Sequence, residues 1–92
     1  ERADRLSPND PAVMDTLGML LIKRGDKVRG NRLIEGAAER APKDLEIQVH
    51  LAQIRVDQGR VAEARQLLQN VIDQAGASPI AATAKAALAA LP

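Results

Sequence analysis

The chain repeats one pattern of residue types with a period of 34 residues. Capping side chains, apolar positions, small residues and turn glycines all coincide when the sequence is shifted by that amount. The coincidences are Asp10 with Asp44 and Ser78, Leu17 with Leu51, Gly18 with Ala52, Leu20 with Ile54, Gly25 with Gly59, Gly30 with Ala64, and Ile34 with Leu68. Self-similarity at such a period predicts a solenoid in which successive helical units stack on one another.

Each repeated unit predicts two helices joined by a tight turn. The first unit predicts helices over 11–24 and 27–41, and the second predicts helices over 45–58 and 61–75. An aspartate precedes three of these helices as a good N-cap, and a glycine follows the first helix of each unit. A Ser-Pro pair introduces a last helix over 79–91. The short connections make neighbouring helices antiparallel.

The composition excludes several classes of function. The 92 residues include no Phe, Trp or Tyr, so the core of one small domain must be built from aliphatic side chains and alanine, as in closely packed helices. The absence of Cys excludes disulfides, thiolate metal sites and cysteine nucleophiles. A net charge of +1, from 13 basic and 12 acidic residues, argues against nucleic-acid binding. No apolar run approaches the roughly 20 residues that span a bilayer, so direct membrane insertion is not expected.

The residues at key positions of each unit resemble the tetratricopeptide repeat. That family combines large residues with a Leu-Gly pair, a turn glycine, small residues and a closing proline at fixed offsets. The first unit supplies Met14, Leu17, Gly18, Leu21, Gly25, Gly30, Ile34, Ala37 and Pro42, and the second supplies Gln48, Leu51, Ala52, Arg55, Gly59, Ala64, Leu68, Val71 and Gly76. Polar Gln48 and Arg55 depart from the pattern. The resemblance implies an all-α fold, a right-handed α-α superhelix in which the small residues let paired helices approach closely.

The resemblance also suggests how the chain is organised. Residues 1–8 look like the end of a preceding repeat, 11–44 and 45–78 are two repeats, and 79–92 form a capping helix. We therefore expect the C-terminal part of a longer array. The stretches NDPAVMDTLGMLL and EIQVHLA, with the closing short helix, are similar to the last repeats of bacterial envelope lipoproteins of exopolysaccharide and PEP-CTERM systems. This similarity implies a location on the periplasmic side of a bacterial cell envelope.

No cluster in the sequence has the spacing of a catalytic or metal site. His50 is the single histidine, and we interpret it as a partly exposed polar residue, with a ligand contact as the alternative. Glu35 and Glu39 share a helix face that we expect to be solvated, whereas a general acid needs a desolvating pocket. Because a nucleophile motif and a Gly-rich phosphate loop are also missing, we expect no enzymatic activity, no cofactor and no metal.

A run of basic residues crosses the turn of the first unit. Its members are Lys23, Arg24, Lys27, Arg29 and Arg32. Such a run is typical of a solvated face, and an acidic partner or a lipid head group is the alternative. Nucleic acid is disfavoured because the chain has no aromatic side chain to stack on bases.

The family resemblance implies that the first helices of the units line a concave groove that holds a peptide or a partner protein. The groove positions are Ala12, Asp15, Thr16, Met19, Ile22 and Lys23 in the first unit, and Glu46, Val49, His50, Gln53, Val56 and Asp57 in the second. The predicted partner-binding residues among them are Asp15, Met19, Ile22, Lys23, Val49, His50, Gln53 and Asp57. They lack the Lys/Asn/Arg clamp with which some members grip a carboxyl terminus. The expected function is a non-catalytic protein-interaction scaffold, and the alternative is a purely structural cap or oligomerisation module.

The apolar pattern predicts a core and an exposed end. The expected core residues are Leu17, Leu20, Leu21, Ile34, Leu51, Ile54, Leu67 and Leu68, and Leu51→Ala is expected to cost ~2–5 kcal/mol. The face of the first helix that carries Val13, Leu17 and Leu20 is expected to be partly uncovered and to favour a homodimer. Gly36 has no packing role that the sequence indicates, although a helical glycine costs roughly 1 kcal/mol relative to alanine.

Overall fold

The described part of the chain, residues 10–92 of a computed structural model, contains five α-helices and no strand. The helices are α1 (Pro11–Lys23), α2 (Lys27–Arg40), α3 (Leu45–Asp57), α4 (Val61–Ala75) and α5 (Pro79–Ala89). All five begin at the predicted residues, and four of them end one or two residues earlier than predicted. The prediction of an all-α, tetratricopeptide-like helical repeat fold is therefore confirmed. The expected end of a preceding repeat, at residues 1–8, lies outside the described residues.

Each pair of helices turns at a glycine with positive φ. Gly25 has φ 96° and Gly59 has φ 80°, a backbone region that side-chain-bearing residues rarely adopt. The N–H of Gly25 donates to the oxygen of Ile22 at 3.0 Å, and the N–H of Asp26 donates to the oxygen of Leu21 at 2.8 Å. The same two bonds recur around Gly59, at 3.0 and 2.7 Å. This pair of bonds is the Schellman motif, which satisfies the last carbonyl groups of a helix and fixes the exit of the chain.

Aspartate side chains close the beginnings of three helices. One carboxylate oxygen of each accepts a main-chain N–H of the first turn, at 2.9, 3.2 and 3.2 Å for Asp10, Asp26 and Asp44. These N-cap predictions are confirmed. Ser78 stands at the N-cap of α5, but its side chain makes no capping hydrogen bond. Instead, the N–H of Ala81 donates to the main-chain oxygen of Ser78 at 3.0 Å.

The described residues divide into two compact units, with the boundary between Lys43 and Asp44. In the first unit, α1 and α2 approach most closely at Gly18 and Gly30. A Cβ atom added to Gly30 would lie 2.6 Å from the carbonyl oxygen of Gly18, and one added to Gly18 would lie 2.6 Å from Cγ1 of Ile34. Backbone therefore packs against backbone here, which confirms the role predicted for these two glycines.

Gly36 has a packing role that the sequence did not indicate. A Cβ atom at this position would lie 2.7 Å from Cε of Met14. Met14 comes from α1 and is 9% exposed, so Gly36 leaves room on α2 for the end of a buried side chain.

The second unit builds its core from α3, α4 and α5 together. The buried cluster consists of Val49, Ala52, Ala64, Leu68, Val71 and Ala84. Half of these residues are alanines, so the helices pack through small side chains, as the absence of aromatic residues requires. α5 contributes Ala84 and is therefore part of the core of this unit.

The predicted core is only partly correct. Ile34, Ile54 and Leu68 are buried, but Leu17 and Leu20 are 44% and 46% exposed. Residues of α1 that face α2, such as Gly18, lie about 100° around the helix from Leu17, because each residue advances a helix by that angle. The remaining predicted core residues, Leu21, Leu51 and Leu67, are only partly buried. Because Leu51 is not fully buried, we expect Leu51→Ala to cost less than full burial would imply.

Candidate protein-binding surfaces

Four of the predicted partner-binding residues lie on α1. Lys23 is exposed and Met19 is partly exposed, so both are accessible. Ile22 is partly buried, because its Cγ1 packs against Gly30 of α2, 2.6 Å from where a Cβ atom of that residue would lie. Asp15 is only 7% exposed. It therefore has little surface to offer a partner, and the prediction that it contacts one needs correction.

The other four predicted partner-binding residues lie on α3, and they differ in whether they are accessible or buried. Gln53 and Asp57 are exposed, one turn apart, and His50 is partly exposed one turn earlier. Val49 is 2% exposed and belongs to the buried cluster of the second unit. Val49 therefore offers no surface to a partner and cannot line a groove. The sequence did not separate the two groups because adjacent residues of a helix differ by only 100° in direction.

An apolar cavity of about 210 Å³ lies in the second unit. Its lining residues come from three helices: Ala52, Gln53 and Val56 from α3, Leu68 from α4, and Ala87, Ala90 and Leu91 from the end of α5 and the residues after it. Gln53 contributes the one polar side chain of this lining. Two of the predicted groove positions, Gln53 and Val56, therefore border a space that could receive an apolar group.

The contribution of α5 to this cavity was missed at the sequence level, where the helix was assigned only a capping role. The signal was nevertheless present, because Ala87, Ala90 and Leu91 follow one another at helical spacing and Ala84 continues the same stripe toward the core. Alanines on that stripe leave space that larger side chains would fill. The cavity is thus a direct consequence of the alanine-rich composition of α5.

Two polar residues of α3 that depart from the family pattern connect α3 to α4. Gln48 is 7% exposed, and its Oε1 accepts from Nδ2 of Asn70 at 2.9 Å. Arg55 places Nε 3.3 Å from Oε1 of Glu63, with only 17% of its side chain exposed. Where large residues would pack, this chain uses hydrogen bonds and an ion pair to hold the orientation of α3. Both departures therefore have partners that the sequence pattern could not identify.

The turn between α1 and α2 has its own electrostatics. Nε of Arg29 donates to Oδ2 of Asp26 at 2.7 Å, while the main-chain N–H of Arg29 donates to Oδ1 at 3.2 Å. These two bonds to the ionised form, the side-chain bond above all, hold the pKa of Asp26 below its ordinary value. Asp26 is therefore a charged N-cap over the whole physiological pH range.

Three findings bear on other kinds of site. Within residues 10–92, no group of three or more His, Cys, Asp or Glu side chains is arranged to hold a metal ion. Over the same residues, no helix combines the length and the apolar character needed to cross a bilayer. Glu39 is exposed and Glu35 is partly exposed, so neither lies in a desolvating pocket of the kind that a general acid needs.

A sequence model of a known family, described as Tetratricopeptide repeat, matches residues 29–88, which is more than half of the chain. Neither a curated protein nor a solved structure gives a significant match. Tetratricopeptide repeats generally mediate protein–protein interaction and are typically non-enzymatic scaffolds. Because the two helical hairpins repeat the same glycine turn and the family model matches residues 29–88, the chain belongs to the tetratricopeptide repeat family.

Proposed function

We propose that the chain is a non-catalytic interaction module that binds a peptide segment of a partner protein and accepts one large apolar side chain of that segment in the cavity of the second unit. The observation that carries the proposal is the cavity itself. It is lined by six apolar residues and Gln53, and it coincides with two positions that the family resemblance assigns to the groove.

The size of the cavity favours a single side chain over a small metabolite. Its volume of about 210 Å³ exceeds the ~150 Å³ of an engineered apolar cavity that holds benzene, and falls short of the roughly 300–1,000 Å³ of small-molecule sites. A Leu, Met, Phe or Trp side chain suits a cavity of this volume. Because the chain has no aromatic residue of its own, a partner would supply the bulky group that this packing lacks.

The polar residues beside the cavity suit a peptide backbone. The exposed amide of Gln53 can both donate and accept a hydrogen bond, as an extended segment requires. His50 and Asp57 lie one turn to either side of Gln53 on α3 and add a titratable and a negatively charged group. On α1, the accessible Met19 and Lys23 are proposed to contact the partner as well.

A cavity-filling substitution tests the proposal. We would titrate the chain with N-acetyl-tryptophanamide and N-acetyl-leucinamide and follow the methyl NMR signals of Val56, Leu68 and Leu91. Weak saturable shifts are expected, and Ala87→Leu should abolish them by occupying the space. Ala86→Leu is the matched control, because Ala86 is exposed on the same helix and outside the lining.

The outcome that would contradict the proposal is equally specific. If the shifts in Ala87→Leu equal those in Ala86→Leu and in the unmodified chain, the cavity does not receive the probe. Shifts confined to residues outside the second unit would have the same meaning.

A second test uses an identified protein partner. Gln53→Arg places a long charged side chain at the cavity and should weaken binding, as should Met19→Glu on α1. Gln66→Arg is the control for the first change, because Gln66 is exposed on α4 and does not line the cavity. Affinity that survives both substitutions while changes on α2 or α4 abolish it would place the partner elsewhere.

An alternative function, as a structural cap or oligomerisation module, has a different observation in its favour. Val13, Leu17 and Leu20 are 45%, 44% and 46% exposed on one face of α1. Exposed apolar surface of this kind favours self-association. This alternative predicts a homodimer that forms through α1 and does not depend on the cavity.

We also propose, from the resemblance of its stretches to the terminal repeats of envelope lipoproteins, that the module belongs to a longer repeat protein of a bacterial cell envelope. The full reading frame that encodes the chain tests this proposal. A frame without further repeats would contradict the longer array, and one without an export signal would contradict the envelope location.

A further inference from the structure

The turn between α1 and α2 concentrates positive charge. The basic run at this turn is exposed at all five positions, Lys23, Arg24, Lys27, Arg29 and Arg32. Asp26 is the one acidic residue between the first and the last of them, so this ten-residue stretch has a net charge of +4. The whole chain has a net charge of only +1, and the other residues therefore carry a net charge of −3. The charge is segregated and not evenly distributed over the surface.

The structure holds this basic stretch in a fixed arrangement. The Schellman motif at Gly25 brings the end of α1 and the start of α2 together, so the cations come from both sides of one tight turn. Asp26 directs its carboxylate at Arg29, with a distance of 2.7 Å to Nε, and also caps α2. This ion pair takes up one of the five cations, so the net charge of +4 corresponds to Lys23, Arg24, Lys27 and Arg32.

An apolar side chain lies among these cations. Val28 is 70% exposed, well above the 44–46% of the other exposed large hydrophobic residues. Val28 and Arg32 are four residues apart on α2 and therefore neighbours on its surface. A partner at this surface would meet a positive field with one apolar contact inside it.

We propose that this basic surface, formed by Lys23, Arg24, Lys27, Val28, Arg29 and Arg32, binds a short acidic segment of a protein, with carboxylates on either side of one apolar residue. Charge complementarity identifies the occupant. From Lys27 to Arg32 the helix rises ~7.5 Å, at about 1.5 Å per residue. Two to three residues of an extended segment, at about 3.3 Å each, cover that length.

The residues beyond the basic surface favour a short protein segment over an extended polyanion. Glu35 and Glu39 lie one and two turns after Arg32 on α2, and Glu39 is exposed. A flat anionic membrane or a nucleic-acid backbone that reached past Arg32 would meet these like charges. Stable binding to a membrane interface also relies on bulky Trp, Phe or Leu side chains, and stacking on bases needs aromatic ones. Val28 provides neither a bulky side chain of this kind nor an aromatic one.

The test uses two blocked peptides of equal length, Glu-Glu-Leu-Glu-Glu and Gln-Gln-Leu-Gln-Gln, titrated into the 92-residue chain at an ionic strength of about 10 mM, where screening is weak. Amide NMR shifts should appear over residues 23–32 with the Glu peptide alone and should disappear in high salt. The double variant Arg24→Gln/Arg32→Gln should weaken binding about threefold to tenfold, because each exposed ion pair contributes modestly. The double variant Arg24→Lys/Arg32→Lys should retain most of the affinity.

Arg65→Gln/Lys85→Gln is the matched control. It removes the same two charges from exposed positions of α4 and α5 and should leave binding unchanged. Unfolding midpoints of all variants establish that the fold is intact. Equal weakening in the control, no shifts with the Glu peptide, or tighter binding to phosphatidylserine vesicles or to a single-stranded oligonucleotide than to the peptide would overturn the proposal. The cavity variant Ala87→Leu should bind the Glu peptide normally, which separates this inference from the proposed function.

Discussion

Gly30→Ala adds a single methyl group at the closest approach of α1 and α2. The new Cβ would lie 2.6 Å from the carbonyl oxygen of Gly18 and 2.6 Å from Cγ1 of Ile22. The first of these atoms belongs to the backbone of a helix and has no rotamer to change. The two helices must therefore move apart, which also loosens the packing around Ile34, a residue with 0% exposure.

The expected magnitude follows from two opposing contributions. Overpacking of a close-packed site costs about 1–3 kcal/mol. Replacing a glycine by alanine inside a helix returns about 0.5–1 kcal/mol. Because the clash involves backbone, we expect the first contribution to dominate, with a net loss of about 1–2 kcal/mol in the free energy of unfolding.

Gly36→Ala is the control, since it makes the same chemical change on the same helix. Its Cβ would meet only Cε of Met14, at 2.7 Å, the end of a flexible side chain that can rotate away. The gain in helix propensity should then roughly balance or outweigh the repacking, so stability should be unchanged or higher by up to about 1 kcal/mol.

Urea unfolding followed by circular dichroism at the helix band measures both variants. The midpoint should fall for Gly30→Ala relative to Gly36→Ala, while the m-value stays constant, because the surface exposed on unfolding is nearly the same. If Gly30→Ala is as stable as Gly36→Ala, the helices accept the methyl group without separating. The close backbone contact would then contribute nothing to the stability of the first unit.

Three further predictions follow from other contacts. Asn70→Ala should lower the free energy of unfolding by about 1–2 kcal/mol, because the buried Gln48 loses a 2.9 Å hydrogen bond, and an unchanged urea midpoint would refute this. In an NMR titration the pKa of Asp26 should lie below its usual value and should rise in Arg29→Gln. The stabilising contribution of Asp26 should be present above its pKa in the unfolded state and lost as the pH falls through its pKa in the folded state. Leu17→Glu should reduce self-association measured by sedimentation, because Leu17 is 44% exposed, whereas an unchanged mass distribution would exclude the α1 face as the contact.

The helices were predictable because their ends depend on local chemistry. An aspartate bonds to N–H groups two or three residues ahead, and Gly25 adopts a positive φ that closes the turn within five residues. Such signals do not depend on the rest of the fold. The 34-residue period provides the first cap and the turn glycine of each unit twice, as Asp10 and Asp44 and as Gly25 and Gly59, whereas Arg60 stands where Asp26 would recur. All five helix starts were therefore predicted correctly, and only the less strongly marked C-terminal ends differed.

Burial was less predictable because it depends on which face of a helix meets another helix. α1 carries large apolar residues on two faces, and its periodicity does not tell which face is covered. The face with Gly18 packs on α2, whereas Leu17 and Leu20 remain exposed. The smallest residues, not the largest, mark the contact in this chain. The core predicted from the apolar pattern therefore included Leu17, although this residue is exposed.

Contacts between residues that are distant in sequence could not be predicted from local patterns either. Gln48 departs from the repeat pattern, but its hydrogen-bond partner Asn70 is 22 residues away, and no spacing rule connects them. Likewise, the sequence placed Gln53 on an accessible face of α3 and showed the alanine stripe of α5, but it did not indicate that the two border one cavity. That cavity requires α5 to lie against α3 and α4, which only the folded structure reveals.

Small residues have different consequences in the two units. In the first unit, Gly18 and Gly30 let two helices close on each other until no methyl group fits between them. In the second unit the corresponding residues are Ala52 and Ala64, both of which are buried, and α5 adds Ala84 to the same cluster. The cavity of this unit is lined by three alanines, Ala52, Ala87 and Ala90, together with four larger residues. A chain without aromatic residues thus has an apolar volume of about 210 Å³, the space in which we propose that the side chain of another protein binds.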